Sequence, residues 1–167
     1  MPFLALPAGG VNGWGAAAVL WAFAVGYWDI RYRRVPNVLT GGAALAALAS
    51  LAVTGVSPLG VDGLSMLAGA ALALVVTVPG FLVRQLGAGD VKLLVAIALL
   101  GGAAATVVSF AIGALTSLAA LGAWVSLGPR FGLTPASGKW LPFGAALALG
   151  FVVAVFGGQV GQLPWLR

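Results

Sequence analysis

Long apolar runs separated by short polar gaps make up nearly the whole chain. The runs cover residues 11–28, 38–54, 62–83, 91–127 and 143–160. A helix that crosses the hydrocarbon core needs about 20 mostly apolar residues, and most of these runs have roughly that length. The run 91–127 holds a single charge, Lys92, and is too long for one crossing. Gly101-Gly102 is the natural place for a hairpin within it, which predicts helices over 91–105 and 106–127. The gap after the first run is Arg31-Tyr32-Arg33-Arg34-Val35-Pro36-Asn37, with Asn37 placed to cap the second helix. The gap from Gly55 to Gly60 is uncharged and turn-rich, and Asp62 is placed to cap the third helix. The pattern therefore predicts an all-α membrane protein, a bundle of six transmembrane helices forming one domain over residues 1–167. Small residues four apart, Gly69 with Ala73 and Gly113 with Ser117, allow close helix approach within such a bundle.

Composition strengthens this reading and narrows the chemistry. Hydrophobic residues make up 62% of the 167 positions and charged residues 7%; a soluble domain carries about 25% charged residues. There is no cysteine and no histidine, which removes disulfides, thiolate chemistry and the usual general base. Three carboxylates in total are too few for a carboxylate-rich metal cage, so neither metal nor cofactor is expected.

The net charge of +5 does not indicate nucleic acid, because the basic residues fall in short gaps between apolar runs. With six alternating crossings, seven of the eight basic residues lie on one side, leaving Arg167 alone on the other. That side is cytoplasmic by the positive-inside bias, and both termini are then extracytoplasmic. The first dozen residues hold no Lys or Arg, so no cleavable signal peptide is expected and the first run is read as a retained helix.

The same alternation sorts the acids. Asp29, at the end of the first run, and Asp90, opening the fourth helix, fall on the cytoplasmic side. Asp62 falls on the other, roughly 30 Å away across the hydrocarbon. Asp90, flanked by Gly87 and Gly89, could be an N-cap or a working carboxylate presented by a loop whose glycines let the backbone approach a ligand. Asp29 sits where the helix dipole disfavours an anion, which argues for a use beyond structure. Arg31, Arg33 and Arg34 serve as topology determinants and anionic-lipid contacts, with substrate binding as the alternative. Lys92 pairs with Asp90 or reaches for the headgroups. Two aspartates in close approach cannot both ionise, so they share a proton. The ionised member can then activate a water while its partner polarises a carbonyl.

Asp29-Ile30-Arg31-Tyr32-Arg33-Arg34-Val35-Pro36-Asn37 resembles the first aspartate segment of the type IV prepilin peptidases. Gly87-Ala88-Gly89-Asp90-Val91-Lys92-Leu93 resembles their second, the GxGD signature shared with preflagellin peptidases and presenilin-type proteases. Leu141-Pro142-Phe143-Gly144 is similar to a Pro-containing segment near that family's last helix. The resemblance implies an aspartyl endopeptidase in the cytoplasmic (inner) membrane of a prokaryote, cleaving prepilin leaders at the cytoplasmic face without a cofactor. It makes Asp29 and Asp90 the catalytic pair, and gives Gly87, Gly89 and Lys92 loop-shaping or substrate-binding roles. The implied partners are a prepilin or pseudopilin substrate helix, membrane lipids and other pilus-assembly proteins. Larger bifunctional members carry a cytoplasmic insertion with paired cysteines and also methylate the product; this chain has neither feature, so methyl transfer is not implied. Its length resembles the short peptidases of tight-adherence (Flp) pilus systems and archaeal preflagellin-type enzymes. Two other classes compete: a catalytically inactive pilus-assembly subunit with the same fold, and a small proton-coupled carrier. The carrier would prefer carboxylates near the midplane and inverted repeats, and the sequence displays neither.

Overall fold

The computed structural model describes residues 13–127 and 142–158. Among them the chain forms five helical elements: α1 (Gly13–Tyr32), α2 (Asn37–Thr54), α3 (Gly63–Leu82), α4 (Ala88–Leu127) and α5 (Phe143–Phe156). The expected first-helix start near 11 and last-helix end near 160 lie outside the described residues, as do Arg130, Lys139 and Arg167. The two helices expected over 91–105 and 106–127 form one element, interrupted at Gly102, where φ is 74° and ψ is −169°. This is a backbone region that only glycine occupies readily. The interruption thus falls at the Gly101-Gly102 pair rather than at residue 105.

The contacts on either side of Gly102 show why the interruption matters. At the far end of α3, Leu86 lies against Gly80, just before α4 begins. At its near end, Gly102 lies against Val61 and Ser65, and the Ala103 N–H donates to Ser65 Oγ (3.3 Å). The leg 88–101 therefore runs antiparallel to α3. Beyond Gly102, Thr106 reaches Gly69, Ser109 meets Gly150, and Gly113 meets Leu147. Three of these contacts are made at glycines that leave no room for a Cβ. A Cβ on Gly69 would lie 2.9 Å from the Ala103 nitrogen, one on Gly113 2.9 Å from Leu147 Cδ2, and one on Gly150 2.7 Å from Ser109 Cα. In lipid, helices associate by such close packing, since the surrounding tails are as apolar as leucine.

α4 is the central element, packing on α2, α3 and α5, while α1 packs on α5. The core between them holds Val25, Met66, Leu93, Leu94, Ile97, Leu147 and Phe151, all buried. Trp21 joins two helices to this core: its ring meets Phe151 edge-on at 5.9 Å, and its Nε1–H donates to the Leu39 carbonyl of α2 (3.0 Å). The outward faces are equally apolar. Val38, Val53 and Leu64 are 82%, 84% and 76% exposed. Water would penalise that surface and hydrocarbon does not, and α2, α3 and α4 are each long and apolar enough to cross a membrane. The described residues thus form an all-helical membrane-protein fold.

Asp62 caps α3 as expected, its Oδ1 accepting the Ser65 N–H at 2.9 Å. Asp62→Ala is expected to lower stability by about 1 kcal/mol, whereas Asp62→Asn, an equally good cap, should leave thermal unfolding unchanged. Asn37 departs from expectation. Pro36 takes the extended N-cap position of α2 without a side-chain cap, and Asn37 is the first helical residue. Its amide is thereby free to face another element.

Candidate active site

Asp29 lies in the last turn of α1, where the carbonyl end of the helix disfavours negative charge. Its surroundings reverse that preference. The N-terminus of α5 abuts it, and the Ala145 N–H donates to Asp29 Oδ2 at 2.9 Å. Pro142, at the N-cap of α5, offers no side-chain cap, so an acceptor from another helix serves the first turn. Gly144 makes this approach possible, because a Cβ there would lie 3.0 Å from Asp29 Oδ2. Asp29 is 6% exposed, which makes it one of few buried polar side chains.

Asp90 is held by its own helix. It occupies the third position of α4, and its Oδ2 accepts the Gly87 N–H at 2.9 Å. This is the reach-back half of a capping box, and it satisfies one of the orphan donors at the helix start. Each carboxylate thus has an oxygen fixed by a backbone N–H at a helix N-terminus, where the dipole favours an anion. Asp90 is half-buried, more open than Asp29.

Both carboxylates line one cavity of about 370 Å³, together with Arg33, Arg34, Val35, Asn37, Gly87, Ala88, Gly89, Lys92 and Phe143. All five residues singled out in the sequence, Asp29, Asp90, Gly87, Gly89 and Lys92, therefore meet in one place. Asp62 does not. It adjoins the Gly102 end of α4, roughly 20 Å from Asp90 at 1.5 Å of rise per residue along the leg 88–101. The arginine cluster divides: Arg33 and Arg34 line the cavity, while Arg31 lies over the Tyr32 ring at 5.5 Å.

Local backbone explains how the segments reach the cavity. α1 ends with Arg33 in the left-handed region (φ 54°), its N–H donating to the Asp29 carbonyl at 2.8 Å. That turn redirects the chain across the cavity mouth. The connection before α4 contains the other left-handed non-glycine among the described residues, Arg84 (φ 60°). Each costs on the order of 1 kcal/mol, a strain that packed surroundings must hold. Gly87 and Gly89, by contrast, are absent from the positive-φ glycines, so an unusual backbone conformation is not why they are there. Gly89 packs beside Val35, and a Cβ there would meet Val35 Cβ at 3.5 Å, an ordinary contact, so space does not demand glycine at 89 either.

Val35, Asn37 and the α5 N-terminus lie in segments named from the sequence but were not assigned to the site from it. The one available signal was the missing cap ahead of Phe143: a helix that starts at proline with no Ser, Thr, Asp or Asn beside it needs an acceptor from elsewhere.

The type IV leader peptidase family model matches residues 16–123, a stretch that includes Asp29, the residues 33–37 and the Gly87–Lys92 segment. No curated protein and no solved structure matches the chain. With both aspartate segments inside a match that covers well over half of its length, the chain belongs to the type IV leader peptidase family.

Proposed function

We propose that this membrane peptidase is an aspartyl endopeptidase that removes the leader from prepilin-like substrates, with Asp29 and Asp90 as its catalytic pair. The observation that carries this reading is the shared cavity, in which carboxylates from α1 and α4 are each fixed by a backbone N–H. With one proton between them, the ionised aspartate takes a proton from water as its oxygen attacks the scissile carbonyl carbon. The protonated partner gives its proton to the carbonyl oxygen. Collapse of the tetrahedral intermediate breaks the C–N bond: the newly protonated aspartate delivers its proton to the departing nitrogen, while its now-ionised partner takes a proton from a hydroxyl of the intermediate as the new carbonyl forms. The pair ends with one shared proton, ready for another turnover. Nothing in the sequence competes for this role, since histidine and cysteine are absent and Asp62 serves as a cap.

The test is direct. Purified protein in liposomes, given a synthetic prepilin-type peptide comprising the leader and the start of its helix, is expected to yield one cleavage product. The rate should not change with a chelator. Intact peptide across a panel of such substrates, with folded enzyme, would refute the assignment.

The reaction also requires a sidedness. We place the protein in the cytoplasmic membrane of a prokaryote with six crossings, both termini outside and the aspartates at the cytoplasmic face. The reversal of contacts at Gly102 supports a hairpin within α4, and the basic residues 31–34 and Lys92 cluster at the aspartate end. Reporter fusions at Gly60 and Gly101 are expected to read extracytoplasmic, and a cytoplasmic signal at Gly101 would eliminate the hairpin.

A further inference from the structure

Residues 33–37 cross between the two carboxylate-bearing segments and touch both. Val35 is wedged at the crossing: a Cβ on Gly89, beside Asp90, would lie 3.5 Å from Val35 Cβ, and one on Gly144, beside Asp29, 3.0 Å from Val35 Cγ2. Two residues on, the Lys92 Nζ donates to Asn37 Oδ1 at 3.1 Å. That bond joins α2 to α4 across 55 positions of sequence, and both of its partners line the cavity. Asn37 is the first residue of α2 and Lys92 lies two residues past Asp90, so the bond pins the end of the strap to the turn that presents Asp90. An ammonium-to-amide bond is charge-assisted, which makes it stronger than a neutral one at the same exposed position.

We propose that Val35 and the Asn37–Lys92 bond form a latch that sets the approach of Asp90 to Asp29, with Asn37 and Lys92 as positioning residues rather than substrate ligands. The inference rests on the reading of the two aspartates as the reacting pair. It also gives Lys92 a partner that neither a headgroup contact nor a simple pairing with Asp90 supplies.

A positioning role and a binding role move different constants. Asn37→Ala and Lys92→Met are each expected to lower kcat on a prepilin-type peptide about ten- to a hundredfold, with KM changed less than about threefold. The double variant should be no worse than the weaker single one, because each change breaks the same bond. Lys92→Arg, whose guanidinium still donates to Asn37, is expected to recover most of the kcat. Losses that multiply in the double variant, or a raised KM at unchanged kcat, would make Lys92 a substrate contact and overturn the latch.

A second readout needs no substrate. The chain has no native cysteine, and the Cβ separation at positions 35 and 89 suits a disulfide. Val35→Cys with Gly89→Cys should crosslink in membranes treated with copper–phenanthroline. Adding Lys92→Met should slow that crosslinking about tenfold by freeing the strap, on the scale expected when one charge-assisted bond is lost. A rate that ignores Lys92→Met, or the absence of any crosslink, overturns the proposal. A wild type inert to every leader peptide, but with Lys92-dependent crosslinking, would remove the peptidase reading and leave the latch in place. Efficient cleavage with Lys92-independent crosslinking would do the reverse.

Discussion

Asparagine in place of either Asp29 or Asp90 is expected to lower kcat/KM on a prepilin-type peptide by a thousandfold or more, on the scale of other groups that act as a unit. The structure makes this an unusually clean substitution. In Asp29→Asn the amide would still offer an oxygen to the Ala145 N–H, and in Asp90→Asn it would still offer one to the Gly87 N–H. Both anchoring bonds can therefore survive, and so should the packing of Gly144 against residue 29. What disappears is the ionisable oxygen. Without it one partner can neither take a proton from water nor hold the shared proton, and the cycle has no first step. Because the two act together, the double variant should be scarcely slower than either single one. Asp62→Asn is the matched control: it removes a carboxylate at the far end of the bundle, keeps the cap, and should leave the rate within a few-fold. Substantial cleavage by either the Asp29→Asn or the Asp90→Asn protein, with thermal unfolding intact, would rule out the paired-carboxylate mechanism. Restoration by an added divalent metal would do so too, since the carboxylates would then be holding an ion.

Local chemistry was legible in the chain wherever the cause lies within a few residues. Asp62 caps α3 because the cap and its donor are three residues apart. The break in the long apolar run follows Gly101-Gly102 because the backbone geometry required there is one that glycine alone adopts easily. The class of the molecule was legible too, since runs of about 20 apolar residues admit few alternatives to lipid. What could not be read are the partnerships between segments. Asn37 looked like a helix cap because the residue type suits one, and nothing nearby shows that Pro36 takes that place while Lys92 reaches its amide. Asp29 stood as an anion at the wrong end of a helix, and the donor that resolves the conflict comes from 116 positions away. Glycine was the least transparent residue. Gly102 is required for its φ, but Gly144 is required for the space a side chain would fill, and sequence alone does not separate those uses.

Gly102→Ala should have the largest effect on folding, because both uses coincide there. At φ 74° and ψ −169°, an L-residue is strained by about 1–3 kcal/mol. Its Cβ would also lie 2.5 Å from Ser65 Oγ and 2.7 Å from Val61 Cγ1. Such overpacking adds about 1–3 kcal/mol where the neighbours are fixed. They are fixed here: Val61 is fully buried, and Ser65 accepts the Ala103 N–H that opens the second leg of α4. The Leu100 carbonyl just ahead of the turn is likewise held, by the buried Ser57 hydroxyl at 2.8 Å. The substitution is therefore expected to cost about 3 kcal/mol or more, which lowers the midpoint of thermal unfolding by about 6–12 °C in a chain of this size. Removing the neighbours separates the two causes. In the Gly102→Ala background, Val61→Ala with Ser65→Ala should relieve the collision but not the dihedral strain, so only part of the lost stability should return once the cost of those two changes alone is subtracted. Complete recovery would mean that packing alone requires glycine at this position. A Gly102→Ala protein that unfolds at the wild-type temperature would mean that the chain does not turn here at all. The second leg would then not be returned toward Gly144, and the face of α5 that holds Asp29 would lose its support.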